Sequence, residues 1–138
     1  MLNRKDRVIL DTNLWISLLL TNDFARFDKI IDYSEVTIVF SDELLTELIE
    51  VSQRKKFRKY FDWEDINRIL TQIHNSADFI KVKSKVAICR DSKDNFLLAL
   101  AKDGRATHLI TGDKDLLVVE EYDGTTILSM TDYLKNKR

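Results

Sequence analysis

At 138 residues the chain has the length of one domain with its own hydrophobic core, so a single unit over residues 1–138 is expected. Apolar residues make up 44% and charged residues 33%, which excludes a disordered polymer, and the longest apolar runs (14–20 and 96–101) are too short to span a bilayer. A formal net charge of −1 gives no global attraction to polyanions, so any nucleic-acid binding must rest on local positive charge or on bound cations.

Residues 1–7 are basic but lead into no apolar h-region or small-residue cleavage site, so a cytoplasmic protein with no membrane partner is expected. Residues 7–11 read as a short buried strand ending at Asp11. A helix follows from about Asn13, with Leu14, Ile16, Leu18, Leu19 and Leu20 on its apolar side. Residues 23–33 continue as a second helix carrying Phe24, Phe27, Ile30 and Ile31 at helical spacing. Residues 36–40 are β-branched and aromatic, a buried strand. Ser41 is placed to cap a helix through about Ser52 with Leu44, Leu45, Leu48 and Ile49 inward.

A further helix is expected over 55–61. Asp62 then caps a helix over 63–76 with Ile66, Ile69, Leu70 and Ile73 inward, and a strand is expected over 79–82. The single Cys89 offers no disulfide, and neither it nor the isolated His74 and His108 has zinc-ligand spacing. Asp91 opens a helix to about Asp103, stopped by Gly104. Residues 108–111 form a strand running into Gly112 and Asp113, residues 125–128 the last strand, and residues 131–137 a closing helix. Strands alternating with helices imply a three-layer α/β/α domain around a central, mostly parallel sheet, which carries its site at the carboxyl ends of the strands.

Asp11 and Asp113 each follow a strand and would emerge at the same sheet edge, although either could simply cap the next helix. Asp94 lies in the first turn of a helix whose body is apolar nearly all round. It can complement the helix dipole, or, with Asp91, form an acidic capping box. Glu47 falls at the margin of its helix's apolar stripe, where periodicity alone favours a solvated face. Clustered, such carboxylates must protonate or bind a cation. Oxygen donors without sulfur or imidazole suit Mg²⁺ or Mn²⁺, which activate water against a phosphodiester.

Four segments carry a resemblance: Val8-Ile9-Leu10-Asp11-Thr12-Asn13, Ser41-Asp42-Glu43-Leu44-Leu45-Thr46-Glu47-Leu48, Arg90-Asp91-Ser92-Lys93-Asp94-Asn95, and Leu109-Ile110-Thr111-Gly112-Asp113-Lys114-Asp115-Leu116-Leu117. In these segments the chain resembles the PIN-domain ribonucleases, particularly the branch of toxin components of bacterial toxin–antitoxin pairs. The resemblance implies that Asp11, Glu47, Asp94 and Asp113 hold the metal ions and carry catalysis, and it alone promotes Glu47. It implies Asn13 and Thr111 as supports for the acids, with Asp115 and Asp91 also supporting. It also implies an RNA substrate, a protein antitoxin and a homodimer. Ser92 and Lys55 stand where this branch often shows proline, and neither is a ligand position.

Arg54, Lys55, Lys56, Arg58 and Lys59, interleaved with Phe57 and Tyr60, form the densest basic run and are candidate RNA contacts; the alternative is a solvated helix with its aromatics packed inward. Lys81, Lys83 and Lys85 form a second strip, which reads more readily as an ordinary strand edge. The expected function is therefore a metal-dependent endoribonuclease acting as a toxin. Housekeeping RNA processing, or a non-catalytic binding module, are the alternatives. With no phosphate-binding glycine loop, a nucleotide switch is excluded.

Overall fold

In the computed structural model, which describes residues 5–21, 35–54 and 63–136, Val8, Ile9 and Leu10 are almost wholly excluded from solvent. A continuous apolar run buried on both faces belongs to the centre of a parallel sheet, and β1 (Asp6–Leu10) takes that place. It pairs in parallel with β2 (Val36–Phe40) on one side and β4 (His108–Ile110) on the other. Beyond them lie β3 (Asp78–Phe79), then β6 (Thr125–Leu128) and β5 (Glu121–Tyr122), in the order β3-β2-β1-β4-β6-β5. Among the described strands only the β5–β6 pair is antiparallel. The central sheet with its helical layers is the three-layer α/β/α architecture expected from the alternation of elements.

Six helices lie among the described residues: α1 (Thr12–Thr21), α2 (Asp42–Ser52), α3 (Trp63–Ser76), α4 (Ser92–Asp103), α5 (Lys114–Leu117) and α6 (Met130–Asn136). None is long and apolar enough to cross a membrane. Ser41 caps α2 by accepting the Leu44 N–H, and Leu44 and Leu48 are the stripe it buries, with Leu45 and Ile49 only partly covered. α1 packs against α2. Trp15, Phe40 and Phe79 run in a line of tilted rings 5.8 Å apart beneath them, joining helix and sheet. The helices expected over 23–33 and 55–61 lie outside the described residues, as do the side chains of Ile66 and Ile69.

One expectation needs correction. The strand foreseen over 79–82 contributes only Phe79. After the Ile80 N–H bonds the Phe40 carbonyl the chain leaves β2, and farther on the amides of Lys83 and Ser84 are taken by the Asp103 carboxylate. The β5–β6 hairpin and the single turn of α5 were not foreseen. The hairpin carried its signal openly, because Asp123 and Gly124 sit at φ 50° and 86° between the paired Tyr122 and Thr125. An Asp-Gly loop with both residues at positive φ is the two-residue turn whose twist matches the strands. The histidines stay away from the chemistry: His108 sits edge-on to Tyr133, and His74 edge-on to Phe79.

Gly104 ends α4, but not by supplying a left-handed residue. Its own φ is −86°, while Arg105 takes φ 52°. Bonds from the Ala106 N–H to the Ala101 carbonyl and from the Arg105 N–H to the Lys102 carbonyl complete a Schellman closure. What Gly104 supplies is room, since a Cβ there would lie 2.7 Å from Val39 Cγ1 and 2.9 Å from the Leu100 carbonyl. Gly104→Ala is therefore expected to cost about 1–3 kcal/mol by overpacking. Arg105→Gly should stabilise by about 1 kcal/mol through relief of the left-handed backbone. Urea unfolding of the two variants checks both signs.

Candidate active site

The strand order reverses direction between β1 and β4: from β1 the chain goes out to β2, and from β4 it goes to β6. Such a switch point opens a crevice at the carboxyl ends of the two strands. Here the ends are flush, with Leu10 opposite Ile110 and the Asp11 N–H bonded to the Ile110 carbonyl. Asp11 and Thr111 are the next residues out. The Thr111 hydroxyl is fully buried; it donates to Asp11 Oδ2 and accepts the Asp113 N–H. One hydroxyl thus ties together the two acids that follow the strands.

Each of these acids also caps a helix. Asp11 Oδ1 accepts the Leu14 N–H of α1, and Asp113 Oδ1 accepts the Asp115 N–H of α5. Asp91 caps α4 through the Lys93 N–H. The capping alternative is therefore correct as far as it goes. A carboxylate has two oxygens, however, and a cap uses one of them.

The crevice is a cleft of about 240 Å³ lined by Asp11, Thr12, Asn13, Glu47, Val51, Arg54, Asp91, Lys93, Asp94, Leu97 and Asp113. All four candidate catalytic acids face this one space, together with Asn13, Asp91 and Arg54 of the supporting and basic sets. Thr111 lies beneath it. Lys55, Lys56, Arg58 and Lys59 lie outside the described residues. The tightest grouping among the described acids is Asp94, Asp113 and Asp115, whose carboxylate oxygens lie within 4.8 Å of one another. Asp115, foreseen as a support, thus stands closer to Asp94 and Asp113 than to a purely outer role, and its carboxylate also meets Arg90 at 3.3 Å.

Glu47 is half-buried rather than solvated, because α2 packs its margin against the start of α1. Thr12 Oγ1 donates to Glu47 Oε2 at 3.2 Å and Lys93 Nζ stands 3.3 Å from Oε1. Thr12 and Lys93 were not foreseen as site residues. Their signal was adjacency, since each sits inside a quoted motif next to an acid. Asn95 was also passed over. Its side chain accepts the Ile88 and Cys89 N–H groups and donates to the Cys89 carbonyl, fixing the turn that leads into the cleft.

Burial and repulsion set the electrostatics. Asp94 is 6% exposed, and its Oδ2 has no hydrogen-bond partner among the described residues. Desolvation, the Asp113 carboxyl within hydrogen-bonding reach, and the charges of Asp113, Asp91 and Asp115 push its carboxyl up to about 6. Desolvation also raises Asp11 above the ordinary carboxylate range, against the lowering effect of its bonds from Thr111, Leu14 and Gly112. A buried carboxylate oxygen without a donor, beside two further carboxylates, fits a cation.

Comparison with known proteins follows the same lines. The profile of a family described as PIN domain matches residues 7–115. The uncharacterized protein MJ1680 of Methanocaldococcus jannaschii is 31% identical over 126 residues, covering 85% of this chain and 77% of that one. The crystal structure of PAE2754 from Pyrobaculum aerophilum is similar with a TM-score of 0.61 at 19% identity, over 94% of this chain and 88% of that one. VapBC2 from Rickettsia felis, solved bound to a DNA fragment from its promoter, has a TM-score of 0.59 at 16% identity, over 88% and 96%.

Because Asp94 titrates at about 6 in the folded, metal-free chain and near 3.8 when unfolded, the native state holds the extra proton between those values. This group then lowers stability as pH rises from about 4 to 6, and its full cost is present at neutral pH. Asp94→Asn is expected to raise the melting temperature in EDTA at pH 7 by roughly 5 °C and to flatten the pH profile between 4 and 6. Thermal melts across that range, compared with the parent chain, test both effects.

Proposed function

The chain belongs to the PIN domain family, and on that premise we propose that it is a divalent-metal-dependent endoribonuclease, the toxin of a toxin–antitoxin pair. The observation that carries the reading is the buried, unpartnered Asp94 oxygen beside Asp113 and Asp115, in the cleft that Asp11 and Glu47 also line. An all-oxygen donor set suits Mg²⁺ or Mn²⁺ and lacks the nitrogen and sulfur of zinc sites. Bound there, such an ion supplies Lewis acidity to a phosphoryl oxygen and lowers the pKa of the attacking water.

The chain's own residues do the positioning. Asp94, Asp113, Asp115, Asp11 and Glu47 would hold the ion. Thr111 keeps the Asp11 carboxylate and the Asp113 backbone in register, and Thr12 orients Glu47. Asn13, on the exposed wall of the cleft, would orient the acids or the incoming substrate. Arg54 and Lys93 bring positive charge to the rim, where a phosphodiester would approach. Leu97 and Val51 close the cleft's apolar side. The toxin role, and with it a protein antitoxin, rests on the resemblance of the four motifs to the toxin branch. Growth arrest on induced expression, relieved by the product of an adjacent small gene, is its test.

Asn caps a helix about as well as Asp, so Asp11→Asn and Asp113→Asn remove charge while keeping the bonds to Leu14 and Asp115. Both are expected to retain the parent's circular dichroism and to abolish Mn²⁺-dependent cleavage of RNA. Asp11→Ala should in addition cost about 1 kcal/mol for the lost cap. Parent protein that cuts no RNA with Mn²⁺, or Asn variants that cut as well as the parent, would overturn the reading.

A further inference from the structure

Charge in this chain is segregated. Residues 81–105 hold seven basic residues (Lys81, Lys83, Lys85, Arg90, Lys93, Lys102 and Arg105) and three acidic ones (Asp91, Asp94 and Asp103), a formal +4 within a molecule of net −1. Of those acids, Asp94 is buried, and Asp103 turns its carboxylate to the backbone amides of Lys83 and Ser84 rather than to the lysines.

The segment between β3 and α4 is laid out like a strand, although it pairs with none of the described strands. Exposure alternates: Lys81, Lys83 and Lys85 are exposed, while Val82, Ser84 and Val86 are turned inward and the two valines pack on the core. Two side chains of α4 hold it. Asp103, at the last turn, fixes residues 83 and 84, and Asn95, in the first turns, fixes residues 88 and 89. Those anchors are eight helical residues apart, about 12 Å. Some five residues of the segment cover the distance, so it runs antiparallel to α4, and the alternating exposure of residues 81–86 marks that part of it as extended. Where exposure alternates, over residues 81–86, the extended repeat sets alternate side chains up to about 6.6 Å apart, close to the phosphate repeat of an extended single strand. The segment ends at Asp91 and Lys93, in the wall of the acid cleft.

We propose that Lys81, Lys83 and Lys85 form a backbone-tracking ladder for single-stranded RNA that leads along α4 to the cleft. The inference rests on the ribonuclease reading for its choice of polyanion and extends it with a surface outside the catalytic machinery. Rigidity is what separates the ladder from a merely solvated edge. Three cations held at phosphate spacing release counterions together, whereas scattered lysines on a loop must first be ordered. The ladder reads charge and spacing only, so it is indifferent to base sequence.

Lys81 shares a shallow groove with Asp42 and Glu43, so the test uses Lys83 and Lys85. Full-length protein in EDTA is titrated into labelled single-stranded RNA of twelve and of three nucleotides, read by fluorescence anisotropy at several salt concentrations. Lys83→Gln with Lys85→Gln is expected to weaken twelve-nucleotide binding about fivefold and to lower the slope of log K against log salt by about 1.4, at roughly 0.7 per phosphate contact. Three-nucleotide binding should be unchanged, and the double Arg variant should behave as the parent. With Mn²⁺, the KM for long RNA should rise while kcat stays constant. Unchanged affinity and slope for the twelve-nucleotide RNA would overturn the ladder and leave the lysines to an acidic protein partner; equal losses on both RNAs would overturn it too. A parent that binds RNA through these lysines but cuts none supports the ladder and removes the nuclease reading alone.

Discussion

The flush pairing of β1 with β4 governs the rest of this molecule. Leu10 and Ile110 end in register, so the residues after them emerge side by side at the point where the chain departs in opposite directions. Thr111, wholly buried, then fixes both Asp11 and the backbone of Asp113 through one hydroxyl. A slip of one residue in this pairing would turn every β1 side chain to the other face, part Asp11 from Thr111 and disrupt core and cleft together. Core and site therefore share one determinant.

That economy has an energetic consequence. Three of the acids at the cleft cap helices, so their placement comes at little cost to the fold. Their mutual proximity does carry a cost. Burial, and then the neighbouring carboxylates, push the Asp94 carboxyl above its ordinary range, and its second oxygen meets no donor among the described residues. Buried polar atoms in folded proteins nearly always find partners, and exceptions concentrate where function demands them. Here the strain is electrostatic rather than conformational. A hard cation is the partner that would relieve it, which is why stability and chemistry meet at this residue.

A nearly neutral chain can still favour a polyanion if its charges are sorted by surface. Acids gather at the carboxyl edge of the sheet, where strand ends and helix N-termini place them. Basic residues gather along the segment that flanks α4 and at the cleft rim. Lys93 stands where the two regions meet, 3.3 Å from Glu47. Whole-chain charge averages this arrangement away and so carries little information about it.

Much of the architecture was fixed by local pattern. Val8-Ile9-Leu10, residues 36–40 and the caps Ser41 and Asp91 each declare themselves through periodicity, β-branching or a side chain that competes for a free N–H. These signals act over a few residues and survive without tertiary context. The resemblance of four motifs named the acids. What the sequence could not decide was distance. Glu47 looks solvated on its own helix and becomes part of the cleft only because α2 packs on α1. Asp115 looks like a capping acid until the turn of α5 brings it to Asp94. Gly104 reads as a conformational stop, yet its role is room for Val39, sixty-five residues earlier in the chain. Lys81, Lys83 and Lys85 read as an ordinary edge until Asp103 is seen to anchor the backbone of residues 83 and 84, and Asn95 that of residues 88 and 89, against α4. Periodicity reports which face a residue takes on its own element, and only the packing of elements reports what that face meets.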